Sequence, residues 1–197
     1  MTNIIRRFGL MLLLCYGVNV FAQSNYPQVK FVTNVGDFVV EVYTDKTPKT
    51  ADNFLTYVRD GHYNNTIFHR VINNFMIQGG GYDAKYNEKT SRPPIKHEGV
   101  EAKANGAPHN TTGTLSMART NNPHSATAQF FINVKDNDFL DHQSATQQGW
   151  GYVAFGKVIS GMEVVNRIKQ MPTGPGGPFP SDVPQTQVLI QSATLVK

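Results

Sequence analysis

Between residues 28 and 196 the chain is divided into short stretches, some alternating apolar and polar residues and some continuously apolar, separated by segments rich in glycine, asparagine or proline. Only two stretches carry a helical period instead. Residues 28–34 and 37–43 alternate about Val35-Gly36-Asp37 and are expected to form a hairpin. Further strands are expected over 66–72, 75–79, 113–118, 129–134 and 152–159, with a closing strand over 186–196. Many short strands with two isolated helices favour a barrel or a sandwich over a parallel sheet. Full closure would also remove the exposed strand edges.

The first helical stretch opens at Thr47-Pro48, an N-cap followed by a proline at the first helical position. Ala51, Phe54, Leu55 and Val58 then form one apolar stripe, and Gly61 supplies a stop. Ser160-Gly161-Met162-Glu163 reads as a capping box, with Met162, Val165 and Ile168 on one side of a second, shorter helix. A length of 197 residues with 40% hydrophobic and 16% charged residues suits one globular domain.

The N-terminus, MTNIIRRFGLMLLLCYGVNVFAQS, has a basic pair, an apolar stretch from Phe8 to about Val18, and Val20-Phe21-Ala22 before a cut. That is the plan of a secretory signal. An apolar stretch this short falls below the ~20 residues of a membrane anchor. Residues 1–22 are read as a cleaved signal peptide and 23–197 as the mature domain, exported to the periplasm or beyond, with no stable membrane anchor. Loss of Arg6 and Arg7 lowers the net charge from +4 to 4 − 2 = +2, and no dense Lys/Arg run remains. Nucleic acid is therefore not an expected partner. Cys15, the single cysteine, leaves with the signal, which excludes disulfides, a thiolate nucleophile and a cysteine metal site in the mature chain.

Several chemistries fail on spacing. His97-Glu98 begins like a zinc-protease helix, but Glu101 stands where the second histidine belongs. The histidines at 62, 69, 97, 109, 124 and 142 form no i, i+4 pair, so no metal and no cofactor is expected. The glycine clusters at 79–81 and 174–177 lack the order and context of a phosphate loop. No G-x-S-x-G elbow supports Ser116 or Ser125 as a nucleophile, and a hydrolase on Ser116 or His124 lacks a paired base. Asn64-Asn65-Thr66 and Asn110-Thr111-Thr112 match the glycosylation sequon and otherwise read as turns. Residues 82–112 show neither period and are long enough to suggest a functional loop. Residues 171–184 read as a turn-rich surface connector.

Four stretches remain: FHRVINNFMIQGGG (68–81), GTLSMART (113–120), ATAQFFINV (126–134) and NDFLD (137–141). Each is apolar yet carries Arg70, Gln78, Arg119, Gln129 or Asn137. Strand alternation puts Met76 with Gln78, and Gln129 with Phe131, on common faces. An arginine aimed at the same side would stand over a floor of Phe, Met and Gln.

With YVAFGKVISGMEVV (152–165), these stretches resemble the cyclophilins, peptidyl-prolyl cis-trans isomerases, in the family's order from about residue 28 to 196. The resemblance implies a mainly β fold, a closed eight-stranded antiparallel β-barrel capped by two α-helices. It implies catalysis by Arg70 and a proline pocket of Phe75, Met76, Phe131 and Leu140. Gln78 and Gln129 would orient Arg70 and the peptide. Ala118, Arg119 and Thr120 would line the groove, with the Arg119 backbone bonding the residue before proline. Phe139 and Tyr152 stand where eukaryotic members often carry tryptophan and histidine, as in bacterial exported members. Without an indole N–H at Phe139, weak cyclosporin binding is expected. The implied partners are proline-containing polypeptides and unfolded exported proteins, met by a monomer that assists their folding. The competing reading is a proline-peptide binding or chaperone module with little catalysis.

Overall fold

Gly36, at φ +126°, turns the chain between β1 (Gln28–Thr33) and β2 (Gly36–Val42), as the alternation predicts. Val29 and Phe31 on β1 and Phe38, Val40 and Val42 on β2 point into the core. Phe31 and Phe38 are directly paired across the strands, and their rings stack at 4.8 Å. The structure is a computed structural model describing residues 25–196. The expected signal peptide and Cys15 lie outside the described residues.

The other barrel strands are β3 (Thr66–Ile72), β4 (Met76–Asp83), β5 (Thr114–Met117), β6 (Phe130–Asn133), β7 (Ala154–Ser160) and β10 (Leu189–Leu195). They close in the order β1-β10-β3-β4-β6-β5-β7-β2, every pair antiparallel. Closure decides for a barrel and against a sandwich. Helix α1 (Pro48–Arg59) packs against β7 and β10, and α3 (Met162–Lys169) against β2, β3 and β4. Phe54 of α1 reaches the core rings of Phe155 at 4.9 Å and Phe130 at 5.9 Å. Val164, Val165 and Ile168 bury the apolar side of α3. A third, short helix, α2 (Gly99–Ala104), joins the expected pair.

The helix starts differ from expectation. Thr47 does not cap α1; its hydroxyl donates to the Tyr43 carbonyl at 3.0 Å. The fully buried Glu98 carboxylate caps instead, accepting the Lys49 amide at 3.0 Å and the Thr50 amide at 2.6 Å. The capping box at 160–163 does not form either. Gly161 sits at the N-cap with φ +81° and no side chain caps the helix. A Cβ there would collide with the Asp37 carbonyl, so close passage over β2 selects glycine.

Residues 171–184 are not a plain loop. They form a two-stranded ribbon, β8 (Thr173–Gly176) and β9 (Phe179–Pro184), and β9 lies against β3. Phe179 stacks on His69 at 5.3 Å and meets Tyr82 edge-on at 5.1 Å. Strand β4 likewise runs through the three glycines to Asp83 instead of ending at Gly79.

Candidate functional site

The hairpin of β3 and β4 turns at Asn73-Asn74, with Asn74 at φ +62° and the Phe75 amide donating to the Ile72 carbonyl at 3.1 Å. Within β3 the flanking residues are buried, while Arg70 is exposed and faces Gln78 across the ladder. The preceding residue, His69, points the other way into the protein. Burial lowers its pKa from 6.5 to about 4.

Arg70 lines a cavity of about 210 Å³ with Phe75, Met76, Gln78, Ala118, Arg119, Phe131, Leu140 and Tyr152. Its floor is apolar: Met76, Phe131 and Leu140 form a buried cluster of their own, with Phe75, Ala118 and Tyr152 packed on it. A polar relay runs along one side. Arg70 Nη1 donates to Gln78 Oε1 at 3.5 Å, and Gln78 Nε2 donates to Gln129 Oε1 at 3.0 Å. The glycines after Gln78 make room for this relay. A Cβ at Gly81 would stand 2.5 Å from Gln129 Cγ, and Gly80, at φ +87°, would press 2.8 Å onto the Tyr63 ring. From the other side, Asp182 on β9 brings Oδ2 to 3.9 Å from Arg70 Nε. The site thus presents one cation over a small apolar basin, with hydrogen-bonding groups along one edge and no nucleophile.

The model of the cyclophilin type peptidyl-prolyl cis-trans isomerase family matches residues 28–195. The chain belongs to this family. It is 54% identical over 167 residues to peptidyl-prolyl cis-trans isomerase B of Escherichia coli (strain K12), spanning 85% of this chain and 98% of that one. Peptidyl-prolyl cis-trans isomerase A of Dickeya dadantii (strain 3937) is 45% identical over 177 residues, spanning 90% of this chain and 88% of that one. A crystal structure of a Cryptosporidium parvum cyclophilin type isomerase, obtained in the presence of the dipeptide Ala-Pro, aligns with TM-score 0.63 at 28% identity. That alignment covers 86% of this chain and 99% of the other. The chain is therefore a cyclophilin-type peptidyl-prolyl cis-trans isomerase, with the family's closed eight-stranded barrel.

Most residues that the resemblance names in this cyclophilin meet at the cavity; three do not line it. Gln129 stands behind Gln78 as the second amide of the relay. Thr120 turns its hydroxyl to Ser125 Oγ at 2.8 Å. Phe139 is 74% exposed and stacks on Phe75 at 5.9 Å, forming a rim. Tyr152 does reach the cavity, meeting Phe131 edge-on at 5.4 Å, with the Arg119 guanidinium 4.6 Å from its ring centre. Trp150 instead packs among His97, His124 and His142, so the loop before Tyr152 does not shift its register.

A buried amide network that the motifs did not reveal lies under the cyclophilin cavity. Asn137 Nδ2 donates to the Phe75 carbonyl at 2.9 Å and to Asn133 Oδ1 at 2.8 Å. Asn133 and Ser116 both donate to Asn110 Oδ1, whose own Nδ2 donates to Asp141 at 2.8 Å. Buried polar groups demand such partners, and satisfying them ties Phe75 and the Leu140 turn to the sheet. Ser116 is thus a buried network donor, and Asn110 is a 1% exposed node. Asn64 accepts the Ala193 amide at 3.0 Å.

A larger cavity of about 310 Å³ adjoins across Tyr152, walled by α2, residues 106–109 and residues 141–143. It contains Lys103 and the His109–Asp141 pair at 2.6 Å, but neither Arg70 nor the apolar floor. Among the described residues, no group of three His, Cys, Asp or Glu is arranged to hold a metal ion. No helix among them is long and apolar enough to cross a membrane.

Proposed function

We propose that the chain, exported and freed of residues 1–22, accelerates rotation about X-Pro bonds in polypeptides folding outside the cytoplasm, acting as a monomer. Arg70 is the catalytic residue in this reading. The observation that carries it is a guanidinium on the rim of a cavity floored by Met76, Phe131 and Leu140. The Ala-Pro dipeptide used with the Cryptosporidium relative supports proline as the group received there.

An X-Pro amide resists rotation by ~18–20 kcal/mol because resonance holds it planar. Twisting it breaks the resonance and leaves a lone pair on the proline nitrogen. A guanidinium placed to donate to that lone pair stabilises the twisted form more than the planar one. Phe75, Met76, Phe131 and Leu140 hold the ring, and their apolar surface favours the less dipolar twisted amide. Gln78 and Gln129 orient Arg70 and the peptide. Ala118, Arg119 and Tyr152 form the walls and Phe139 the rim on which the flanking backbone lies, with Thr120 beyond them along the groove. No proton transfer and no covalent intermediate is needed.

An acceleration of ~10⁵-fold requires ~7 kcal/mol. A hydrogen bond to a charged group contributes only ~1.5–3 kcal/mol, so the apolar pocket and the clamped peptide supply the rest. Arg70→Ala is expected to lower kcat/KM for a short X-Pro peptide roughly 10- to 150-fold. Exchange NMR on both proteins tests this. A variant as fast as the unaltered chain would remove Arg70 from the mechanism. An unaltered chain that binds proline peptides without accelerating them would leave a binding or chaperone module. Export is tested separately by sequencing the N-terminus of the protein recovered from the periplasmic fraction. A chain retaining Met1 in the cytoplasm would overturn that part.

A further inference from the structure

Asp182 occupies an unusual backbone state. It lies inside β9 at φ +67°, a region where an L side chain is strained and glycine is relaxed. Its side chain reaches across to the barrel, with Oδ2 3.9 Å from Arg70 Nε. The ribbon that carries it is held against β3 by Phe179, whose ring stacks on the buried His69 next to Arg70.

Arg70 is consequently approached from two directions. Gln78 accepts from Nη1 and Asp182 faces Nε, while Nη2 has no protein partner among the described residues. An unrestrained arginine side chain samples many rotamers, and each productive encounter must first select one. A carboxylate beside Nε restricts that choice and leaves the terminal nitrogens for the substrate.

We propose that Asp182 is the positioning residue for Arg70, acting through the guanidinium and not touching the substrate. The proposal rests on the role given to Arg70 above. Both partners are partly exposed, so the coupling is that of a solvent-screened pair. Asp182→Asn keeps the shape and tolerates the left-handed backbone while removing the charge. It is expected to lower kcat about 2- to 5-fold with little change in KM. The melting temperature should stay within about a degree, because a screened surface pair contributes little to folding. The Arg70 Nε–H resonance should exchange faster with water.

The deciding comparison repeats Asp182→Asn in the Arg70→Ala background, measuring kcat and KM by exchange NMR. If Asp182 acts through Arg70, the second substitution has no further effect there. Equal losses in both backgrounds, or no loss in either, overturn the proposal. Failure of the Arg70 reading itself would show separately, as an Arg70→Ala single variant with full activity. Should the Asn variant fold poorly, Asp182→Gly relaxes the backbone, removes the same carboxylate and carries the same comparison.

Discussion

Glu98 is buried without solvent contact and closes the N-terminus of α1 through the Lys49 and Thr50 amides at 3.0 and 2.6 Å. Replacing it by alanine strips the acceptor from two amides at a helix end where no side chain of α1 itself substitutes. Hydrogen bonds to charged groups contribute ~1.5–3 kcal/mol each, and two that share one carboxylate do not add fully. Attraction to the helix N-terminus contributes ~0.3–1 kcal/mol more. Glu98→Ala is therefore expected to destabilise the domain by about 3–5 kcal/mol, roughly 10 °C in Tm for a domain of this size. Glu98→Gln, which keeps one acceptor and the shape, should cost about 1–3 kcal/mol. Urea unfolding followed by circular dichroism measures both. Hydrogen exchange should show the Lys49 and Thr50 amides losing protection before the rest of α1. A Glu98→Ala loss below about 0.5 kcal/mol, within the range of ordinary surface substitutions, would refute a remote cap. The neighbouring residue extends the consequence to the groove. His97 Nε2 and the Arg119 guanidinium share the Gly151 carbonyl at 3.3 and 2.9–3.0 Å, so loosening this loop should raise KM more than it lowers kcat.

Two further outcomes follow from the same structure. His69, desolvated beneath Phe179, has its pKa lowered from 6.5 to about 4, so the unfolded chain takes up the proton first. The stability due to its neutral form is complete above pH 6.5 and falls as pH drops toward 4, by up to about 3 kcal/mol. Urea titrations between those limits should show the decline, and His69→Phe should flatten it; an equal slope in the variant would contradict it. At the rim, Phe139 offers an exposed ring and no donor, so calorimetry should find weak cyclosporin binding that strengthens in Phe139→Trp. Tight binding by the unaltered chain would count against that reading.

Short-range order was readable because it is periodic. Alternation marked β1, β2 and β10, short apolar runs between turn residues marked the other barrel strands, and the spacing of Ala51, Phe54, Leu55 and Val58 marked α1. Arg70 announced itself as a cation inside an apolar strand, and Gln78 and Gln129 as amides among core residues. The ribbon at 173–184 was missed because Pro and Gly dominate it and carry no alternation, although they pair across it. The capping box at 160–163 misled because Gly161 was needed for close passage over β2, and that tertiary demand displaced the local cap.

The sequence by itself determined the eight barrel strands, the principal helices, the family and the set of residues that could form a proline pocket. Tertiary structure alone decided which polar groups serve them: Glu98 on α1, Asp182 beside Arg70, and the asparagine network beneath Phe75. It also decided that Tyr152 and not Trp150 enters the cavity, while Phe139 stays on the rim. The physical reason is the range of each signal. A hydrophobic period repeats along a few neighbouring residues. A hydrogen bond between distant segments uses the same Asp, Glu and Asn side chains that water solvates elsewhere, and only closure of the barrel brings the partners together.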